Sequence, residues 1–238
     1  MGAFLYGILL QWKLDLRNKG ILLTYYVVPL VFFGFMGGIF TSITPDTKST
    51  LIQSMSIFGV TMGAIIGTPT PISETYGIEL KKSYQIGNIP MFIPIINNFI
   101  SAFVHLFIMS TIIYFVAPIA FNASIPKNTT MYFIMLAIFI VTSLSIGCIL
   151  GLTIKTTSKL TMVSQLIFLP SLMLSGIMFP AKMLPKHFAA VGKIFPATWS
   201  FEMMKESNMN FNLLMPLLII IIICTCICVL RIRQLRID

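Results

Sequence analysis

Residues 212–230 read NLLMPLLIIIIICTCICVL, a run with no charged side chain. At 1.5 Å per residue, a helix of that length is about 28 Å long, which matches the hydrocarbon thickness of a bilayer. Arg231, Arg233 and Arg236 follow at once and put cations where the headgroups begin. Apolar runs over 21–41, 51–72, 91–117, 131–154 and 160–179 repeat the pattern and predict five further spans. The predicted fold is all-α: a polytopic membrane protein with six transmembrane helices in a single transmembrane domain over 1–238.

Composition agrees. Hydrophobic residues make up 57% of the chain and charged residues 10%, whereas a soluble domain carries roughly 25% charged residues. The net charge of +9 is spread through short segments between the apolar runs. That distribution suits contact with anionic lipid, and it excludes the single basic face of a nucleic-acid binder.

Orientation follows from Lys and Arg. With the N-terminus inside, the inner segments hold Lys13, Arg17, Lys19, Lys81, Lys82, Lys155, Lys159 and the three C-terminal arginines. The outer segments hold Lys48, Lys127, Lys182, Lys186, Lys193 and Lys205. All four arginines fall inside. Both termini are therefore expected in the cytoplasm of a bacterial cell with the chain in its inner membrane.

The segment before the first span, residues 1–20, carries an amphipathic helix over 3–18. Leu5, Leu9, Trp12 and Leu16 share one face, and Gln11, Asp15 and Asn18 another. Such a helix lies in the membrane interface. Its cations follow the first apolar stretch, the reverse of a cleavable signal.

Several positions carry candidate function. Gly59, Gly63 and Gly67 recur at every fourth position of the second span, a spacing that lets a neighbouring backbone come close. That span ends in Thr68-Pro69-Thr70-Pro71, and each proline removes a helix donor, so this end is either a hinge or a stop. Residues 73–88 follow either as a solvated loop or as a short cytoplasmic helix that docks into a partner, with Ser73 as its cap and Glu74 in its first turn. Its candidate docking residues are Glu74, Tyr76, Gly77, Glu79 and Leu80. In the third span, Asn97, Ser101 and His105 form a polar stripe at i, i+4 and i+8. A polar stripe at that depth turns towards protein or a substrate path, and helix packing is the simpler reading.

What is missing narrows the function. No Asp or Glu lies within the six spans, although ion-coupled carriers usually need one there. No G-x-x-x-x-G-K-[ST] loop is present, so ATP has no phosphate cradle in this chain. There is no H-E-x-x-H or G-x-S-x-G, and two histidines are too few for a His-based metal site. On a helix, Cys224 and Cys228 share a face that Cys226 does not. The chain is expected to hold no catalytic residue, no metal and no cofactor.

Two stretches are similar to a known family. The first is Leu174-Ser175-Gly176-Ile177-Met178-Phe179-Pro180, followed by Leu184-Pro185 and Phe195-Pro196-Ala197-Thr198. It resembles the SG…FP…LP…NP-T signature of the type-2 ABC exporter permeases, with Phe195 where that family often has Asn. The second, Glu74 to Leu80, is similar to their E-x-x-G-[TS]-x-E coupling segment, with Ile78 in the small hydroxyl position. The resemblance implies an outer re-entrant hairpin over 180–211, marked by Gly176, Pro180, Pro185 and Pro196. It also implies a dimer with a second copy or a paralogue, and a separate P-loop ATPase that carries ATP and Mg and docks on the 73–88 coupling helix. The cargo implied is amphipathic or lipid-like, such as a drug or an antimicrobial or cytolytic peptide. The competing reading is a non-transport assembly or structural subunit of the membrane.

Overall fold

The computed structural model describes residues 2–43, 45–77, 84, 86–87, 89–178, 184–206 and 209–237. Every regular element among them is helical. Helix α1, Gly2–Arg17, leads to Asn18, whose side chain accepts from the amides of Gly20 and Ile21 and so caps the next helix. Five described helices are long and apolar enough to cross a membrane. They are Lys19–Ser42, Leu51–Thr75, Ile93–Phe121, Thr129–Thr153 and Phe211–Gln234. These correspond to the expected first, second, third, fourth and sixth spans.

The expected fifth span, 160–179, is a helix over Thr157–Leu174 that is shorter and less apolar than the other five. It stops before the predicted end because Gly176 takes φ 83°, a left-handed conformation open to glycine, and the chain turns away. The third span instead runs beyond its predicted end to Phe121. Pro118 lies inside it, and Asn122 closes it in the left-handed region at φ 51°.

The second span is the hub. Inside the folded chain 89% of its apolar window is buried, against 28% for the first span and 17% for the last. It packs against the first, third and fourth spans, the Thr157–Leu174 helix and the hairpin helix Pro196–Lys205. Phe58 ties it to the first span by stacking on Phe32 at 3.8 Å, and to the fifth helix by an edge contact with Phe168.

The glycine geometry corrects one expectation. Gly59, Gly63 and Gly67 face side chains, respectively those of Met109, Leu106 and Tyr25. The close backbone approach is made from the fourth span. There a Cβ on Gly147 would collide with the Ala64 carbonyl, and one on Gly151 would lie 2.7 Å from the Pro69 carbonyl. The second span thus receives knobs on one face and a bare backbone on another.

Candidate functional site

The end of the second span beyond Gly67 differs from the expected separate helix. The span passes through a π-helical segment, Gly63–Gly67, and continues as Pro69–Thr75. Ser73 is therefore inside a helix. Its hydroxyl donates to the Ile154 carbonyl at 3.0 Å and fastens this end to the exit of the fourth span, so it does not cap a new helix. The chain turns at Tyr76 and Gly77, where the Gly77 amide donates to the Glu74 carbonyl at 3.1 Å. A Cβ on Gly77 would stand 3.0 Å from that same carbonyl, so glycine suits the turn.

Of the five candidate docking residues, Glu74 is exposed and Gly77 sits at the turn. Tyr76 points inward. Its hydroxyl donates to the Met91 carbonyl, and its ring packs on a small core cluster of Ile72, Ile95, Cys148 and Leu152. Tyr76 therefore clamps the two ends of the 76–91 connection and is not a free aromatic anchor. Glu79 and Leu80 lie outside the described residues.

The polar stripe of the third span faces α1 and the first span. Ser101 donates to Oδ2 of Asp15, and Gln11 Nε2 donates to Oδ1 at 2.8 Å. Asp15 is only 2% exposed. Burial pushes its carboxyl above the ordinary 3.8, and the hydrogen bonds from Ser101 and Gln11 partly offset that rise. His105 is fully buried and shares a 2.8 Å hydrogen bond with the Tyr26 hydroxyl through Nδ1. The Trp12, Tyr25 and Tyr26 rings surround it at centroid distances of 5.9, 5.7 and 5.6 Å. Asn97 packs under Gly7, where a Cβ would come 2.7 Å from its side-chain nitrogen. The stripe therefore serves as a docking strip for α1.

The sequence places Asp15 with Gln11 and Asn18 on the polar face of α1 and does not name its partner. The signal was present as two matching polar rows, Gln11–Asp15 and Asn97–Ser101–His105. Such rows pair across neighbouring helices in lipid, where neither can turn outward at low cost.

In the segment expected as an outer hairpin, Pro185 precedes the helix Lys186–Gly192, and Pro196 opens the helix Pro196–Lys205. Proline suits both places because the first turn of a helix needs no N–H there. Gly192 packs directly on the Leu174 carbonyl. A cavity of about 120 Å³ opens between this hairpin and the end of the fifth helix, lined in part by Ser175, Lys193, Trp199 and Glu202. Gly176 makes the turn into the hairpin, and Pro180 lies outside the described residues.

Residues 4–209 match the family described as ABC-2 type transporter. The chain is also similar to ABC transporter G family member 20 of Dictyostelium discoideum, with 23% identity over 112 residues. That match takes in 47% of this chain and 15% of the relative's length. With the family match spanning the N-terminal helix, the buried hub and the hairpin together, the chain belongs to the ABC-2 type transporter family.

Proposed function

We propose that this chain is the permease subunit of an ATP-driven exporter and works with a separate P-loop ATPase and a second permease copy or paralogue. The observation that carries the reading is the second span: nearly all of it is buried in the chain, yet it delivers Glu74 to an exposed turn at its end. A helix anchored in that way transmits a push at one end to every element packed around it. The ATPase contact in this reading comprises Glu74, the Gly77 turn and the Glu79–Leu80 stretch beyond it, with Tyr76 holding the turn in place from inside.

The cargo in this reading is amphipathic or lipid-like. Among the described residues Asp15 is the one buried carboxylate, and it is engaged by Gln11 and Ser101. Among the described residues no charged conduit supports an ion as cargo. The exposed apolar faces of the first and last spans suit entry of cargo from the bilayer and contact with a second subunit.

The test is reconstitution in nanodiscs with the P-loop ATPase that co-purifies from native membranes. The chain alone should hydrolyse no ATP, and hydrolysis should appear with the ATPase and respond to amphipathic amines or peptides. Failure of any ATPase to co-purify would favour the assembly-subunit reading. Robust hydrolysis by the chain alone would end the permease reading.

A further inference from the structure

Two spans leave the α-helical pattern at the same level and face each other. In the first span residues Leu23–Val27 are π-helical, closed by the Val28 amide on the Leu23 carbonyl. In the second span Gly63–Gly67 are π-helical, closed by the Thr68 amide on the Gly63 carbonyl at 2.9 Å. Isolated π segments are rare, and they gather where helices do work.

Tyr25 joins them. The Thr68 hydroxyl donates to the Gly63 carbonyl at 3.1 Å, so it accepts from the Tyr25 hydroxyl, 3.0 Å away. Gly63 and Gly67 make room for the Tyr25 ring: a Cβ would come within 3.1 Å of the ring at Gly63 and 2.6 Å at Gly67. Pro69 follows immediately and cannot supply the donor that Ile65 would use in a regular helix. On its other side the Tyr25 ring meets His105, which leads to Trp12 and α1.

We propose that the facing π segments 23–27 and 63–67 are the joint at which the second span turns during the transport cycle. Tyr25 is the positioning residue that makes the first span turn with it. The inference rests on the reading of the chain as a permease and names its moving part. A π segment holds one surplus residue. Expelling it to restore the α pattern turns the helix beyond by about 100°. The end carrying Pro69, Ile72, Ser73 and Glu74 would then rotate against the fourth span, releasing the Ser73–Ile154 hydrogen bond and the Gly151 contact, while Leu51–Met62 stays packed. Through the Tyr25–Thr68 bond the rotation reaches the start of the first span, and through His105 and Trp12 it reaches α1.

The experiment uses the permease–ATPase complex in nanodiscs, in a cysteine-substituted background that melts like the wild type. Spin-label pairs at Thr70/Lys127 and Thr70/Lys19 are compared between nucleotide-free and vanadate-trapped states. The first pair reports the turn of the second span, and its separation should change by about 5 Å or more, the radius of a helix with its side chains. The second pair should keep its separation in the wild type and become state-dependent in Tyr25→Phe, which keeps the ring and loses the bond. If Tyr25→Phe does not fold, Thr68→Val removes the same bond from the other side. A fixed Thr70/Lys127 separation overturns the joint. A wild-type Thr70/Lys19 separation that changes, or one that stays fixed in both variants, overturns the role of Tyr25. These outcomes leave the permease reading standing, whereas absence of any ATPase binding sinks that reading and this inference with it.

Discussion

Asp15 is the residue whose chemistry most depends on its neighbours. Its folded-state pKa is raised, so the folded chain holds its proton to higher pH than the unfolded chain does. Stability from this group is fully present below 3.8 and is lost as pH rises through the folded value. In detergent, the melting temperature should therefore fall as pH climbs above 3.8. Asp15→Asn should flatten that slope, because the amide still accepts from Ser101 or Gln11 and carries no charge at any pH. An unchanged slope in the variant would assign the pH dependence elsewhere. His105 gives a second test at this scale. His105→Leu removes the partner of Tyr26 within a tightly surrounded ring cluster and should cost about 1 kcal/mol. His105→Asn keeps a polar partner and should cost less. Equal melting temperatures for both variants and the wild type would remove His105 from the docking strip.

Elements are held by two kinds of contact, and glycine substitutions distinguish them. Gly147 on the fourth span rests on the backbone of the second, at Ala64. Gly147→Ala must push two buried helices apart and should cost about 1–3 kcal/mol. Gly59 meets the methyl end of Met109, a flexible side chain that can swing aside. Gly59→Ala should cost under about 1 kcal/mol, although its spacing motif looks the more prominent in the sequence. Equal losses on denaturant titration would contradict this division. The N-terminal helix is held differently again. Its outward side chains Leu5, Leu9, Leu14 and Leu16 are exposed in the chain and suit lipid, and its inward row is polar. Gln11→Leu paired with Ser101→Ala should loosen α1, read as increased protease cleavage near Arg17, while the spans remain folded.

For the whole molecule, orientation is the property with the widest consequences. The arginine distribution predicts Lys155 inside and Lys186 outside. Single cysteines at these positions, in a cysteine-free background, should differ in labelling by an impermeant maleimide added to intact cells. Position 186 should react, and position 155 only after lysis. The reverse pattern would invert the chain and move the Glu74 turn away from any cytoplasmic ATPase.

The apolar runs by themselves determined that the chain is helical and crosses a membrane, because bilayer thickness fixes span length and lipid leaves backbone groups no partner outside a helix. They located five spans that the structure bears out as long apolar helices, and the helix before them. They did not reveal which face of each helix meets which neighbour. Periodicity gives a face without its partner: it named no neighbour for the polar row of α1, and it offered the second-span glycines as the backbone contact and Tyr76 as a docking residue. The π segments were also invisible, because Leu23–Val27 and Gly63–Gly67 are ordinary apolar stretches in sequence. Only tertiary packing decided them: Tyr25 needs the space above Gly63 and Gly67, and its hydroxyl, buried among apolar neighbours, needs Thr68.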